Sequence, residues 1–82
     1  MLLAIDCGNT NTVFSIWDGE AFIGTWRTST EWQRTADQYY VWLSTLMKFQ
    51  QVEVEITDVI VSSTVPRVVF NLRVFALSLI HI

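Results

Sequence analysis

The sequence predicts an α/β fold with its elements in the order βββαβα, three strands followed by a helix, a fourth strand and a second helix. Three observations lead there. The first thirty residues carry strand-type patterning broken by two polar turns, at Asp6–Asn11 and at Asp18-Gly19. A capping-box sequence then opens an amphipathic segment at Thr35. Finally, a short β-branched run at residues 58–63 leads into Pro66 and another apolar periodic stretch.

Each element has a local cause. Leu2 to Ile5 is a continuous apolar run, the pattern of a strand at the centre of a sheet. Thr12 to Trp17 is rich in β-branched and aromatic residues, and Asp18-Gly19 predicts a two-residue type I′ hairpin, in which both central residues need φ > 0. Ala21 to Thr28 then pairs back antiparallel, and Ser29 to Arg34 forms a polar loop. In Thr35-Ala36-Asp37-Gln38 the Thr hydroxyl can accept from the Gln38 backbone, while Asp37 favours the positive end of the helix that follows over residues 35–50. Ala36, Tyr39, Tyr40, Leu43, Leu46 and Met47 fall on one face of that helix. After a connector near Gln50 to Thr57, Asp58 to Ser63 reads as a short buried strand. The second helix, over residues 65–79, is expected to bury Val69, Leu72, Phe75, Ala76 and Leu79.

Composition narrows the functional classes. At 82 residues the chain is one domain at most, with 51% hydrophobic residues and four Trp, a composition closer to a slice of a larger core than to a free-standing small domain. A net charge of −3 and five scattered Lys and Arg leave no basic patch for a phosphate backbone, so nucleic-acid binding is disfavoured. The single Cys7 has no partner for an internal disulfide or a zinc site, which suits a reducing, cytoplasmic compartment. Asp6 interrupts the N-terminal apolar run, which also lacks a basic start, so no signal peptide is read there. Asn71 and Arg73 break the C-terminal run short of the ~20 residues a membrane span needs. That run also lacks helix-stopping residues, and its half-covered helix is most simply explained by truncation.

The stretch Asp6-Cys7-Gly8-Asn9-Thr10-Asn11-Thr12 has the chemistry of a phosphate loop. Gly8 lets a ligand approach the backbone, Asn9 and Thr10 can donate to β- or γ-phosphate oxygens, and Asp6 can hold Mg²⁺ directly or through its water. The same residues also satisfy an ordinary turn, with Gly and Asn supplying turn dihedrals and Thr starting a strand. Neither a Walker A loop nor a G-x-G-x-x-G loop is present.

Read as a whole, "LLAIDCGNTNTVFSIWDGE" resembles the N-terminus of type III pantothenate kinases, whose first phosphate motif is D-x-G-N-T-N directly after the first strand. The resemblance continues through "WRTST", "RTADQYYVWL" and "DVIVSSTVP", and so covers residues 1 to 75. It implies the acetate and sugar kinase, heat-shock ATPase and actin superfamily, with a ribonuclease H-like domain of three antiparallel strands followed by a parallel strand, of which residues 1–82 form the truncated N-terminal part. It implies ATP-dependent phosphorylation of pantothenate, with Asp6, Cys7, Gly8, Asn9, Thr10, Asn11, Thr12 and Val13 forming the ATP phosphate loop and Asp6 beside the metal. Mg²⁺, a monovalent cation (K⁺ or NH₄⁺), pantothenate as acceptor and a homodimer are implied in the same way.

The sequence also departs from the family pattern. Family members carry a catalytic aspartate in a G-x-D-R motif, and this sequence has none, nor the second phosphate motif or the adenosine motif. No catalytic residue is therefore expected within residues 1–82, and the chain alone is expected to be inactive. The ending "LSLIHI" does not resemble the family's continuation and is read as a non-native tail. Another small-molecule kinase of the superfamily, or a non-catalytic ATP-binding accessory factor, would share the same N-terminus.

The remaining candidates read as structural. Trp17, Trp26 and Trp32 can stack on adenine but more often build cores, and Trp42 on the helix is packing. Cys7 reads as a small buried hydrophobe. Arg34, just before the capping box, is either an anion contact or a solvated loop residue, and the second is the safer reading. Ser62, Ser63 and Thr64 end a strand where α/β sheets collect ligands, and helix capping explains them as well. Arg27 and the terminal His81 have no assigned role.

Overall fold

A computed structural model describes residues 1–31 and 33–80, without the side chains of residues 66, 67 and 80. Trp32 and His81 lie outside the described residues. The elements are β1 (Leu2–Cys7), β2 (Asn11–Trp17), β3 (Phe22–Ser29), α1 (Ala36–Phe49), β4 (Asp58–Ser63) and α2 (Pro66–Ile80). They form one mixed sheet in the order β3-β2-β1-β4, with β1 antiparallel to β2 and parallel to β4. This is the predicted βββαβα fold, the arrangement of the N-terminal portion of an actin-like ATPase domain.

The pleat sorts side chains into rows that cross the sheet. On the helix-covered face the registers give Gly24–Ile16–Leu3–Val59, then Trp26–Phe14–Ile5–Val61, then Thr28–Thr12–Cys7–Ser63. Two apolar rows thus end in a row of hydroxyls and a thiol at one edge of the sheet. Leu3, Ile5, Phe14 and Ile16 are almost fully buried beneath Tyr39 and Leu43 of α1 and Val68, Leu72 and Phe75 of α2. Each such side chain contributes about 1.5–3 kcal/mol by leaving water. Phe14 sits at the centre, with ring centroids 5.9 Å from Tyr39, 5.1 Å from Trp42 and 6.0 Å from Phe75. The opposite face is open: Leu2 and Ala4 are half-buried and Asp6 is exposed, so the apolar run of β1 reflects its interior position in the sheet more than burial on both faces.

The capping box of α1 forms as predicted. Thr35 Oγ1 accepts from the Gln38 N–H at 3.2 Å, and Gln38 Oε1 accepts from the Thr35 N–H at 2.8 Å. The far end closes without glycine: Gln51 has φ 60, its N–H donates to the Lys48 carbonyl, and the Val52 N–H donates to the Met47 carbonyl at 2.8 Å. That is a Schellman pattern with Gln in the left-handed position.

Several local expectations are corrected by packing. The Asp18-Gly19 hairpin is not a two-residue type I′ turn, because Trp17 pairs with Phe22 and only Gly19 has a positive φ. Instead, Asp18 Oδ1 accepts from the N–H groups of Glu20 and Ala21, both at 2.8 Å. These bonds hold the Asp18 carboxyl below its ordinary value of 3.8. On α1, Tyr40 is exposed and Trp42 packs on the core in its place. On α2, Val68 takes the fully buried position expected of Val69, which is half-buried. β4 is not a buried strand: it lies at the sheet edge, and Ile60 on its open face is 58% exposed.

Candidate phosphate-binding loop

The geometry of the sheet collects one set of chain ends. β1 stops at Cys7, β2 starts at Asn11, β3 stops at Ser29 and β4 stops at Ser63, all on the same edge. Both helices start from that edge, α1 after β3 and α2 directly after β4. Open α/β sheets place ligands beyond the carboxyl ends of their parallel strands. Here those are β1 and β4, and the loop that leaves β1 is residues 8–10.

The loop is closed by the Gly8 N–H donating to the Asn11 carbonyl at 2.9 Å. Asp6, Asn9, Thr10 and Asn11 are exposed, and Gly8 is half-buried. Asp6 pairs with Val13 on one side and Ser62 on the other, so its carboxylate stands on the open face at the end of β1. No hydrogen bond or ion pair engages that carboxylate among the described residues. Val13 shares its face and Arg27 lies beyond it in the same row, exposed.

Cys7 and Thr12 face the other way. Both are buried on the covered face, with Thr12 Oγ1 3.4 Å from Cys7 Sγ. They join the loop through their backbone, while their side chains form its floor. The floor is tied to the chain after β3 by Thr30, whose Oγ1 donates to the Gly8 carbonyl at 2.8 Å and whose N–H donates to the Thr10 carbonyl at 2.9 Å. With its single proton committed to Gly8, the Thr30 hydroxyl accepts from Thr12 Oγ1 at 2.9 Å. Thr30 was not picked out from the sequence. The available signal was the period-two alternation that places Thr28 and Thr30 on the face of Trp26.

Gly8 also discriminates between the two readings of this stretch. Among the described residues only Gly19 and Gln51 have positive φ, so neither Gly8 nor Asn9 supplies a left-handed turn conformation. A Cβ at Gly8 would meet only the Asn11 carbonyl, at 3.5 Å, an ordinary contact. The fold itself does not require glycine here.

Arg34 is no solvated loop residue. Its Nη1 donates to Thr28 Oγ1 at 3.0 Å and to the Ser29 carbonyl at 3.4 Å, its Nη2 lies 3.6 Å from Glu31 Oε1, and its guanidinium sits 5.6 Å from the Tyr39 ring centroid. The arginine thereby braces residues 28–31 against α1. Tyr39 itself is buried, its hydroxyl has no partner among the described residues, and burial pushes its pKa above 10.0 against the opposing pull of Arg34. Ser63 Oγ accepts from the Val65 N–H at 3.0 Å just before α2, a structural role, whereas Ser62 and Thr64 are exposed. Trp26 is buried over Gly24, Trp17 packs edge-on to Phe22 at 4.9 Å, and Trp42 packs on Phe14.

No cluster of three metal-ligating side chains exists among the described residues, and Asp6 is the one carboxylate of the loop. A single carboxylate with open space beside it suits Mg²⁺, which takes one or two protein carboxylates and completes its shell with water and phosphate oxygens. No helix among the described residues is long and apolar enough to cross a membrane.

A mixed sheet of three antiparallel strands and one parallel strand, in the order βββαβα with two helices, defines the class: the N-terminal portion of an actin-like ATPase domain. Sequence comparison narrows this further. The type III pantothenate kinase family model matches residues 2–82, and the chain belongs to that family. A type III pantothenate kinase of Roseobacter denitrificans is 87% identical over 76 residues, which are 93% of this chain and 30% of that protein. One from Ruegeria sp. is 76% identical over 76 residues, and one from Dinoroseobacter shibae is 77% identical over 74, each match covering 29% of the relative. The chain thus spans about 30% of the length of these relatives.

Proposed function

We propose that the protein carrying this chain transfers the terminal phosphoryl group of ATP to the primary hydroxyl of pantothenate, the first step toward coenzyme A. Residues 6–13 are its ATP phosphate loop. The observation that carries this reading is Gly8: backbone conformation does not require it, local packing does not require it, and close approach of a phosphate does. The family match supplies the acceptor, since the relatives are named for pantothenate.

In this reading Asp6 holds Mg²⁺, directly or through a coordinated water. Asn9, Thr10 and Asn11 offer side-chain and backbone donors to phosphate oxygens. The bound metal neutralises charge on the transferring phosphoryl group, and the loop's own part is to position ATP. The catalytic base lies outside residues 1–82, which contain no G-x-D-R motif, so these residues alone bind MgATP weakly and do not turn over. A monovalent cation (K⁺ or NH₄⁺), a homodimer and a cytoplasmic location belong to the same proposal. Exposed apolar side chains such as Phe22, Val41, Phe70 and Leu77 are available to an interface.

The test is to express the complete gene and follow ADP release with pantothenate present or absent. Pantothenate-dependent release, with phosphopantothenate detected by mass, is the expected result. Turnover with a different hydroxyl acceptor only, or ATP binding without turnover, would overturn the proposal in favour of another kinase or a binding module.

A further inference from the structure

Thr30 makes three contacts with a loop that precedes it by some twenty residues in the chain, and together they constrain peptide planes. In a trans peptide the carbonyl and the following N–H point in opposite directions. Thr30 Oγ1 holds the Gly8 carbonyl at 2.8 Å, and no cis peptide bond occurs among the described residues. The Asn9 N–H therefore faces away from Thr30, toward the exposed side of the loop, and has no acceptor among the described residues. The Thr30 N–H pins the Thr10 carbonyl at 2.9 Å, which fixes the other end of the same short loop. Beneath it, the buried Thr12 hydroxyl donates to Thr30 at 2.9 Å, so the clamp rests on the core.

We propose that Thr30 is a positioning residue of the phosphate loop: by gripping the Gly8 and Thr10 carbonyls it turns the Asn9 N–H outward as a preset donor for a phosphate oxygen of ATP. The proposal rests on the functional reading above. Preset donors act without reorganisation when the phosphate arrives, which is where such groups gain their effect. Thr30 does not touch the nucleotide itself. Its influence passes through the peptide plane between Gly8 and Asn9.

Two measurements test this, one of which does not depend on activity. Thr30→Val keeps the branched shape and the Thr30 N–H bond but removes the hydroxyl, whereas Thr30→Ser keeps the hydroxyl. In the 82-residue chain, amide exchange at Gly8, whose N–H is bonded to the Asn11 carbonyl across the loop, should accelerate about tenfold in Thr30→Val, as expected for losing a hydrogen-bonded clamp. Leu3 and Ile5 should stay as protected as before, and Thr30→Ser should resemble the parent. Kinetics come from a chimera in which this chain replaces the matching segment of the Roseobacter denitrificans kinase. There Thr30→Val should raise KM for MgATP about tenfold with KM for pantothenate unmoved, and Thr30→Ser should restore it. Unchanged loop exchange in a folded Thr30→Val chain would overturn the clamp. An active chimera whose KM for MgATP ignores Thr30→Val, or falls equally short with Ser, would overturn the positioning role. An inactive unsubstituted chimera counts against the kinase reading of this segment, and the exchange experiment still decides the clamp.

Discussion

Gly24→Ala tests how tightly β3 is packed against the core. The Trp26 indole folds back over Gly24 on β3, and an added Cβ would collide with its Cη2, with Cζ2 and Cζ3 at 3.0 and 3.1 Å. No real carbon sits that close, so the ring must move. Trp26 is only 5% exposed and pairs across the sheet with Phe14, so the displaced ring pushes into the core. Overpacking of this kind costs about 1–3 kcal/mol. Replacing a strand glycine returns about 0.5–1 kcal/mol by reducing the freedom of the unfolded chain. Taken at the middle of both ranges, the net loss is about 1 kcal/mol, or a fall in Tm of about 4–8 °C for a domain of this size. Urea and thermal unfolding followed by circular dichroism would measure it in four proteins: the parent chain, Gly24→Ala, Trp26→Leu and the double variant. Once the indole is gone the alanine has room, so Gly24→Ala should be neutral or stabilising in the Trp26→Leu background. A Gly24→Ala chain as stable as the parent, or an equal loss in both backgrounds, would refute the reasoning.

Four other outcomes are expected. Gln51→Gly should stabilise the chain by about 0.5–1 kcal/mol, because Gln51 sits at φ 60 in the left-handed Schellman position where a Cβ is penalised; thermal unfolding reads it, and a lower Tm would contradict it. Tyr39→Phe removes a buried hydroxyl without a partner among the described residues and should stabilise by about 1 kcal/mol. Because burial raises the folded pKa of Tyr39 above 10.0, its contribution is complete below 10.0 and is lost as pH rises from there through the raised folded value; denaturant melts at pH 9 to 11 should show a decline in the parent that is smaller in Tyr39→Phe. In the Roseobacter chimera, Asp6→Asn should keep the fold and lower turnover at least ~100-fold, the scale of losing one electrostatic contributor to a transfer site. Near-parental turnover at saturating Mg²⁺ would make Asp6 a turn residue only.

What was legible in the sequence was local. The Thr35–Gln38 capping box, the start of β1 at Leu2, the start of α2 beside Pro66 and a polar loop between β1 and β2 each depend on residues within a few positions of one another. Side chain to backbone bonds and the pleat act at that range, so their pattern survives in one dimension. The same locality misled at Asp18-Gly19, where a dipeptide preference was outweighed by a carboxylate reaching two N–H groups further on. It also misplaced Tyr40 and Val69, because helical spacing locates an apolar stripe but its exact facing depends on what lies opposite. Tertiary structure decided the rest. Strand register alone brought Thr28, Thr12, Cys7 and Ser63 into one row, and Thr30 came to hold a loop that precedes it by some twenty residues. Arg34 became a brace only once β3 and α1 were brought together around it. Contacts between distant segments are set by which apolar rows can be buried against each other, a property of the assembled sheet and helices that no short stretch of the chain contains.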